Sequence, residues 1–558
     1  MLRFAGLKLI ERLPLPFRVL YRHFVLHIVD VEALSVEADV AGFLGQFAGV
    51  LIMVSLVHAF VAVIYFLVTP EDQPAFAWRL AQYLISTTML AAGLFAVITW
   101  DATFPDRRDV LVLLPLPVAP RTLLFAKAAA STVLLGGAIF ALNVASGVLW
   151  PVALSQHGLI RAFAAYWITM IAATVFLYGS VLAVQGLMAF LFSRGVYLRV
   201  SALLQLTSFG IFLGVFLLLP PIPSAAAMEA AQNFGRLIWW PPYWYFALFC
   251  QLNGSLPASL SWLAEWAWIS LGIAFLGATA SLLLCYARTM RKTIEQPDLV
   301  PAGRAPSDGL RMGSQLQTAI LLFCLRSLIR SRQHRVIFAF YLGAGFMLAL
   351  LFVRSDLGPG LTQRPLSRGF LIATYLMMSF AVIGLRSTFT LPISLAANWV
   401  LRTTQLSPAA KYLTATRRSL LLFAVAPVWF GTAICSFAFT PRWQAAAHLA
   451  VLVLFGSILT DLNLLGFAKV PFTCSYLPGK SNVQFSFWVF LLLFIPLAML
   501  GAYYELRLLG HAWQIFCLLA GLGTIAGGLQ VWNRYEAKFA SLHFDEVPEE
   551  EILGLGLI

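Results

Sequence analysis

The stretch Phe43-Leu-Gly-Gln-Phe-Ala-Gly-Val-Leu-Ile-Met-Val-Ser-Leu-Val-His-Ala-Phe-Val-Ala-Val-Ile-Tyr-Phe-Leu-Val68 contains no Asp, Glu, Lys or Arg. A helix crosses the roughly 30 Å hydrocarbon core of a bilayer with about 20 apolar residues, so this stretch reads as a membrane span. The same criterion, carried outward, marks twelve. In the first half they lie at about 43–68, 80–100, 123–149, 162–190, 198–219 and 263–287. In the second half they lie at about 336–353, 369–388, 419–438, 444–466, 483–502 and 511–532. The fold class that follows is an all-α polytopic membrane protein.

Composition agrees. The chain has 558 residues, 60% hydrophobic and 11% charged, with a mean hydropathy of +0.85. Soluble domains carry about 25% charged residues, so a soluble enzyme, a disordered protein and a disulfide-stapled secreted domain are excluded. The six cysteines are scattered and suggest neither a disulfide framework nor a metal site. The net charge of +13 is read as cytoplasmic loops rather than nucleic-acid binding. With both termini inside, 29 of the 37 Lys and Arg fall on the inner side, and all seven lysines are among them. That asymmetry supports an N-in, C-in topology, and a bacterial inner (cytoplasmic) membrane is the expected location.

Five segments follow: an interfacial amphipathic stretch at 1–42, six spans at 43–287, a cytoplasmic linker at 288–335, six spans at 336–532, and an acidic tail at 533–558. Phe17, Leu20, Tyr21, Phe24 and Ile28 repeat at helical spacing, as a helix lying on the membrane surface requires. A second basic amphipathic stretch, 321–335, leads into span seven in the same way. The segment Leu116–Lys127 aligns with Leu406–Arg417 at an offset of 290, and each joins the second and third spans of its half. Two parallel six-helix repeats are therefore expected.

Catalytic and nucleotide motifs are missing from the sequence. Pro478-Gly-Lys-Ser481 lacks the first glycine of a phosphate-binding loop and sits between two spans. The chain reads as a non-enzyme with no cofactor of its own. Within spans the polar residues are His58, Asn143, Gln185, Gln205 and His448, candidates to line a pathway; helix–helix hydrogen bonding explains the amides equally well. Asp461 is read as interfacial, and Tyr503–Gly510 as a short outer loop. The aromatic outer stretch 220–262 reads either as a headgroup-level belt or as a re-entrant element packed on protein.

The segment Trp100-Asp-Ala-Thr-Phe-Pro-Asp-Arg-Arg-Asp-Val-Leu-Val-Leu-Leu-Pro-Leu-Pro-Val-Ala-Pro-Arg-Thr-Leu-Leu-Phe-Ala-Lys127 resembles the cytoplasmic loop of ABC-2-type exporter permeases, and Pro241-Pro-Tyr-Trp-Tyr-Phe246 resembles that family's outer aromatic element. The resemblance implies a transmembrane subunit with two six-span units fused in one chain. It would export an unidentified, amphiphilic substrate with the help of a separate ATP-binding cassette ATPase. It also implies that the loop between spans two and three meets that ATPase. On this chain the contact candidates are Asp106, Arg107, Arg108, Asp109, Pro117, Pro120 and Arg121, with Pro408 and Lys411 in the second half. Topogenic charge is the competing reading of those arginines. A secondary carrier or a membrane assembly scaffold is the alternative for the whole chain.

Overall fold

The computed structural model describes residues 14–29, 40–68, 73–100, 115, 117–153, 158–220, 222, 224–232, 237–285, 314–356, 367–393, 398, 403, 409–439, 441–467, 469–473 and 494–542. Eleven helices among these residues are long and apolar enough to cross a membrane. The protein is an all-α integral membrane protein. The described helices divide into two compact units, with the cut inside the stretch 286–313.

Unit 1 begins with α1 (Leu15–Val29), whose apolar stripe does not face lipid alone. Leu20, Phe24 and Ile28 are buried against Leu123, Leu124, Ala126 and Ala130 of α4. Spanning helices α2 (Val40–Val68), α3 (Gln73–Ile98) and α4 (Pro120–Asn143) follow. Pro120 opens α4, where its missing N–H and fixed φ suit the first helical turn. The third expected span is not one helix. It breaks after Asn143, and a short helix α5 (Ser146–Ala153) continues beyond. Next come α6 (Leu159–Leu191), α7 (Arg194–Leu218), the short α8 (Ala225–Gln232), α9 (Pro241–Asn253) and α10 (Ser261–Ala280), which runs into a π turn at Ser281–Cys285.

The aromatic stretch resolves as a packed element. Tyr243, Tyr245, Phe246, Leu248 and Phe249 of α9 are buried among α3, α6 and α10, while Trp239 just before it is exposed. Gly254 ends α9 with φ +86°, a conformation that costs glycine nothing.

Unit 2 repeats the opening. Surface helix α11 (Gln315–Arg330) starts with a capping box in which the Ser314 hydroxyl accepts from the Gln317 N–H and Gln317 reaches back to the Ser314 N–H. It packs against α14, as α1 packs against α4. The unit continues with α12 (Arg332–Asp356), α13 (Arg368–Phe389), α14 (Ala409–Leu420), α15 (Ala426–Phe439), α16 (Arg442–Asn463), α17 (Ile495–Leu508) and α18 (Ala512–Phe539). Helices α14 and α15 form one span joined by a π turn at Leu421–Val425, where the Ala426 N–H bonds back to Leu421. Pro427 follows directly; it lacks an N–H and its ring would press on the carbonyl four residues back, and the wider turn relieves this.

The eleventh expected span, 483–502, lies mostly outside the described residues; α17 is its described end. The expected loop at Tyr503–Gly510 is corrected. Helix α17 runs on to Leu508 and only 509–511 separate it from α18. Helices α3 and α13, the second spanning helices of the two units, are each the most buried of their set.

Candidate functional site

Polar side chains placed inside apolar helices must find partners, because lipid offers none. Where they converge marks the candidate sites. In unit 1 the break after α4 is such a place. The Ser55 hydroxyl oxygen on α2 accepts from the N–H groups of Ala145 at 3.1 Å and Ser146 at 3.2 Å. It thereby satisfies donors that the interrupted helix leaves open. The Asn143 amide N–H donates to Ile139 O at 3.0 Å and to the Thr88 hydroxyl at 3.1 Å. Its oxygen accepts from Tyr166 at 2.7 Å. Four elements, α2, α3, α4 and α6, are tied together by neutral groups with no acid or base among them.

Gln185 and Gln205 act at the other end of α3. Gln205 Nε2 donates to the Val97 carbonyl at 2.9 Å and Gln185 Nε2 to the Trp100 carbonyl at 3.3 Å. The Trp100 indole N–H donates to Ser201 at 2.7 Å. The two glutamines thus satisfy carbonyls that the end of a helix exposes. His58 stands apart from both groups, half-buried on α2 with its ring edge-on to Tyr83 at 5.2 Å.

Unit 2 buries two carboxylates, each with an ionisable partner. His448 on α16 and Glu505 on α17 are buried to 0% and 1% exposure. His448 Nδ1 lies 2.9 Å from Glu505 Oε1, and Tyr375 of α13 donates to Glu505 Oε2 at 2.5 Å. On the far side of the ring, His448 Nε2 is 3.1 Å from Thr374 Oγ1, and that hydroxyl is also 2.8 Å from the Leu371 carbonyl. Phe370 and Phe455 wall the cluster, with ring centroids 6.2 Å from His448 and 5.0 Å from Tyr375 respectively. Thirteen residues along α16, about 20 Å at a rise of about 1.5 Å per residue, lies the second ionic layer. Asp461, two residues before the end of α16, is fully buried there and ion-paired with Arg417.

The sequence singled out His448 without a partner. Glu505, Tyr375, Thr374 and Arg417 were missed. The only signal in the sequence was that Glu505 and Asp461 are acids adjoining apolar runs, and their partners lie 57 and 44 residues away along the chain.

Of the expected ATPase contacts, Asp106, Arg107, Arg108, Asp109 and Pro408 lie outside the described residues. Pro117, Pro120 and Arg121 are exposed at the start of α4, beside the face on which α1 docks; Lys411 is exposed in the first turn of α14, the helix that carries α11. A cavity of about 50 Å³ lies near that end of unit 1, lined in part by Lys127, Ser131 and Tyr178. The chain matches no family model, no curated protein and no solved structure.

Proposed function

We propose that the chain is the transmembrane permease subunit of an ABC-2-type export system, driven by a separate ATP-binding cassette ATPase. The observation that carries this reading is the repeated base of the two units. In each, an amphipathic surface helix is packed on the N-terminal part of the third span, α1 on α4 and α11 on α14. In each, basic residues are exposed at that point, Arg121 in one and Lys411 in the other. A helix braced in this way is a rigid lever, and a push at its exposed end moves the span behind it. The basic excess of the same loops favours the cytoplasmic side for these ends, where an ATPase works. The buried α9 before the last span of unit 1 agrees with the family's outer aromatic element. On this reading the substrate passes outward by alternating exposure, and the apolar spans favour an amphiphilic one.

A secondary carrier is the second reading, favoured by one observation. Carriers driven by ion gradients place ionisable groups inside the membrane, and His448–Glu505 is such a pair.

The deciding experiment is purification of the tagged chain in mild detergent with identification of co-purifying subunits. The control carries Arg121→Glu and Lys411→Glu. Recovery of an ATP-binding cassette subunit with the native chain, and its loss from the folded control, supports the permease. A folded native chain that brings down no such subunit, even after cross-linking in membranes, overturns it in favour of the carrier.

A further inference from the structure

We propose that Thr374, Tyr375, His448 and Glu505 form a proton-binding site inside the membrane, at which the His448 ring takes up and releases one proton. The inference goes beyond the permease reading and holds whether or not an ATPase drives the chain.

The hydrogen count around the ring carries the argument. Tyr375 spends its only hydroxyl hydrogen on Glu505 Oε2 at 2.5 Å. Thr374 has one hydrogen and two neighbours for it: the Leu371 carbonyl at 2.8 Å and His448 Nε2 at 3.1 Å. When Thr374 donates to Leu371, its oxygen accepts from Nε2–H, Nδ1–H donates to Glu505 at 2.9 Å, and the ring is an imidazolium. When the hydroxyl turns and donates to Nε2, that nitrogen carries only a lone pair and the ring is neutral. Nδ1–H and Tyr375 still donate to the carboxylate. Leu371 loses only a second donor, since a helical carbonyl keeps its backbone partner. One bond rotation therefore accommodates both states, and neither leaves a polar atom of the four side chains unpaired. Uptake of a proton from water places it on the Nε2 lone pair as the Thr374 hydrogen swings away, and release reverses both movements.

Position and surroundings fit the role. Thr374 and His448 each lie six residues inside the start of their helices, and Glu505 three before the end of its own. The cluster is thus about 5–9 Å from the helix ends at about 1.5 Å per residue. Among the described residues the chain of bonds stops at a backbone carbonyl, as storage of a proton requires. Release leaves the cluster with one net negative charge. Arg368 of α13 and Arg507 of α17, on the same helices, flank the Tyr503 ring at 5.7 Å and 4.7 Å. Other titratable groups on the packed elements include Tyr341 of α12, against Gly384 of α13, and the exposed Tyr504 of α17, Cys435 of α15, Arg442 of α16, Cys517 of α18 and His511 just before it. His334 of α12 bonds to the Leu391 carbonyl beyond the far end of α13, and Arg534, Tyr535, Glu536 and Lys538 lie in the last turns of α18. Arg386 and Asp461 stand at the far ends of α13 and α16.

The test is solid-state nitrogen NMR of the full chain in lipid bilayers, with histidine labelled and pH varied from about 9 to about 4. The His448 signals are those lost in His448→Gln. The expected result is two ring states in exchange: both nitrogens protonated toward acid, and only Nδ1 protonated toward alkali. In Glu505→Gln, which keeps the shape and the Tyr375 bond, the ratio of doubly to singly protonated ring falls at least about tenfold at fixed pH, as loss of an adjacent carboxylate requires. Thr374→Val also depletes the doubly protonated ring, and Thr374→Ser restores it. A native His448 that keeps one protonation state across the whole range overturns the proposal without any variant. So does a ratio unmoved in folded Glu505→Gln.

Discussion

Arg417 grips Asp461 with both arms of its guanidinium side, Nε to Oδ1 at 2.6 Å and Nη2 to Oδ2 at 2.9 Å. Asn533 of α18 closes the arrangement by donating to the Asp461 carbonyl at 2.9 Å. Three helices, α14, α16 and α18, meet at one carboxylate. The arginine side chain keeps 20% of its surface exposed while the aspartate keeps none, so the buried charge depends on its partner far more than the reverse. Removing one partner of a buried pair costs about 3–5 kcal/mol, whereas replacing both by apolar residues is often close to neutral. Arg417→Met alone is expected to lose that amount in thermal or denaturant unfolding, and Arg417→Met with Asp461→Leu to recover most of it. Equal losses in the single and double variants would show that the pair is not the source.

Ser55→Ala tests the break in the third span. The hydroxyl oxygen serves two backbone N–H groups at the start of α5, and alanine leaves both unserved. Loss of a helix-capping side chain costs about 0.5–2 kcal/mol, and the apolar setting puts this site at the upper end. Hydrogen exchange should rise in 145–149 and stay unchanged in the first turns of α4. Uniform change along 120–153 would mean that Ser55 acts through general packing instead.

Gln205→Leu tests the other end of α3. The amide is buried and donates to the Val97 carbonyl, so leucine removes the donor without leaving space. The cost of an unsatisfied buried acceptor is about 1–3 kcal/mol. Exchange should increase in the last turn of α3. If Gln205 contacted a transported substrate instead, stability would hold and transport would change.

The spans were legible because each supplies enough apolar residues to cross a bilayer, a property of the local sequence alone. The same holds for α1 and α11, whose stripes are written at helical spacing. The buried α9 was legible only as one of two options, since Tyr243, Trp244 and Tyr245 suit a headgroup belt and a protein core equally. The ionic residues were misjudged for a different reason. A hydropathy window ends a span at Tyr-Tyr-Glu-Leu-Arg because it scores Glu505 as charge in lipid. The helix continues because His448 and Tyr375 give the buried carboxylate hydrogen-bond partners, and a partner 57 residues upstream is invisible to any window. The partner of Asp461, 44 residues upstream, is invisible for the same reason.

Close approach of α6 and α10 depends on small residues rather than on polar ones. A Cβ added at Gly186 would overlap the Ser281 hydroxyl, and one added at Gly179 would stand 3.1 Å from the Ala274 carbonyl. The partner helix reciprocates, since a Cβ at Gly277 would come within 2.9 Å of Ala183. Spanning helices lack a hydrophobic driving force against each other in lipid, and such fitted backbones supply dispersion contacts in its place. Gly186→Ala therefore overpacks the contact and should cost about 1–3 kcal/mol. Gly136 of α4 is the matched control, with nothing within 4 Å of an added Cβ. There alanine removes only the flexibility of a mid-helix glycine and should be neutral or stabilising by up to about 1 kcal/mol. Thermal unfolding of the two variants in the same detergent separates the effects. Similar shifts in both would mean that helix propensity alone governs, and that α6 and α10 do not owe their contact to these glycines.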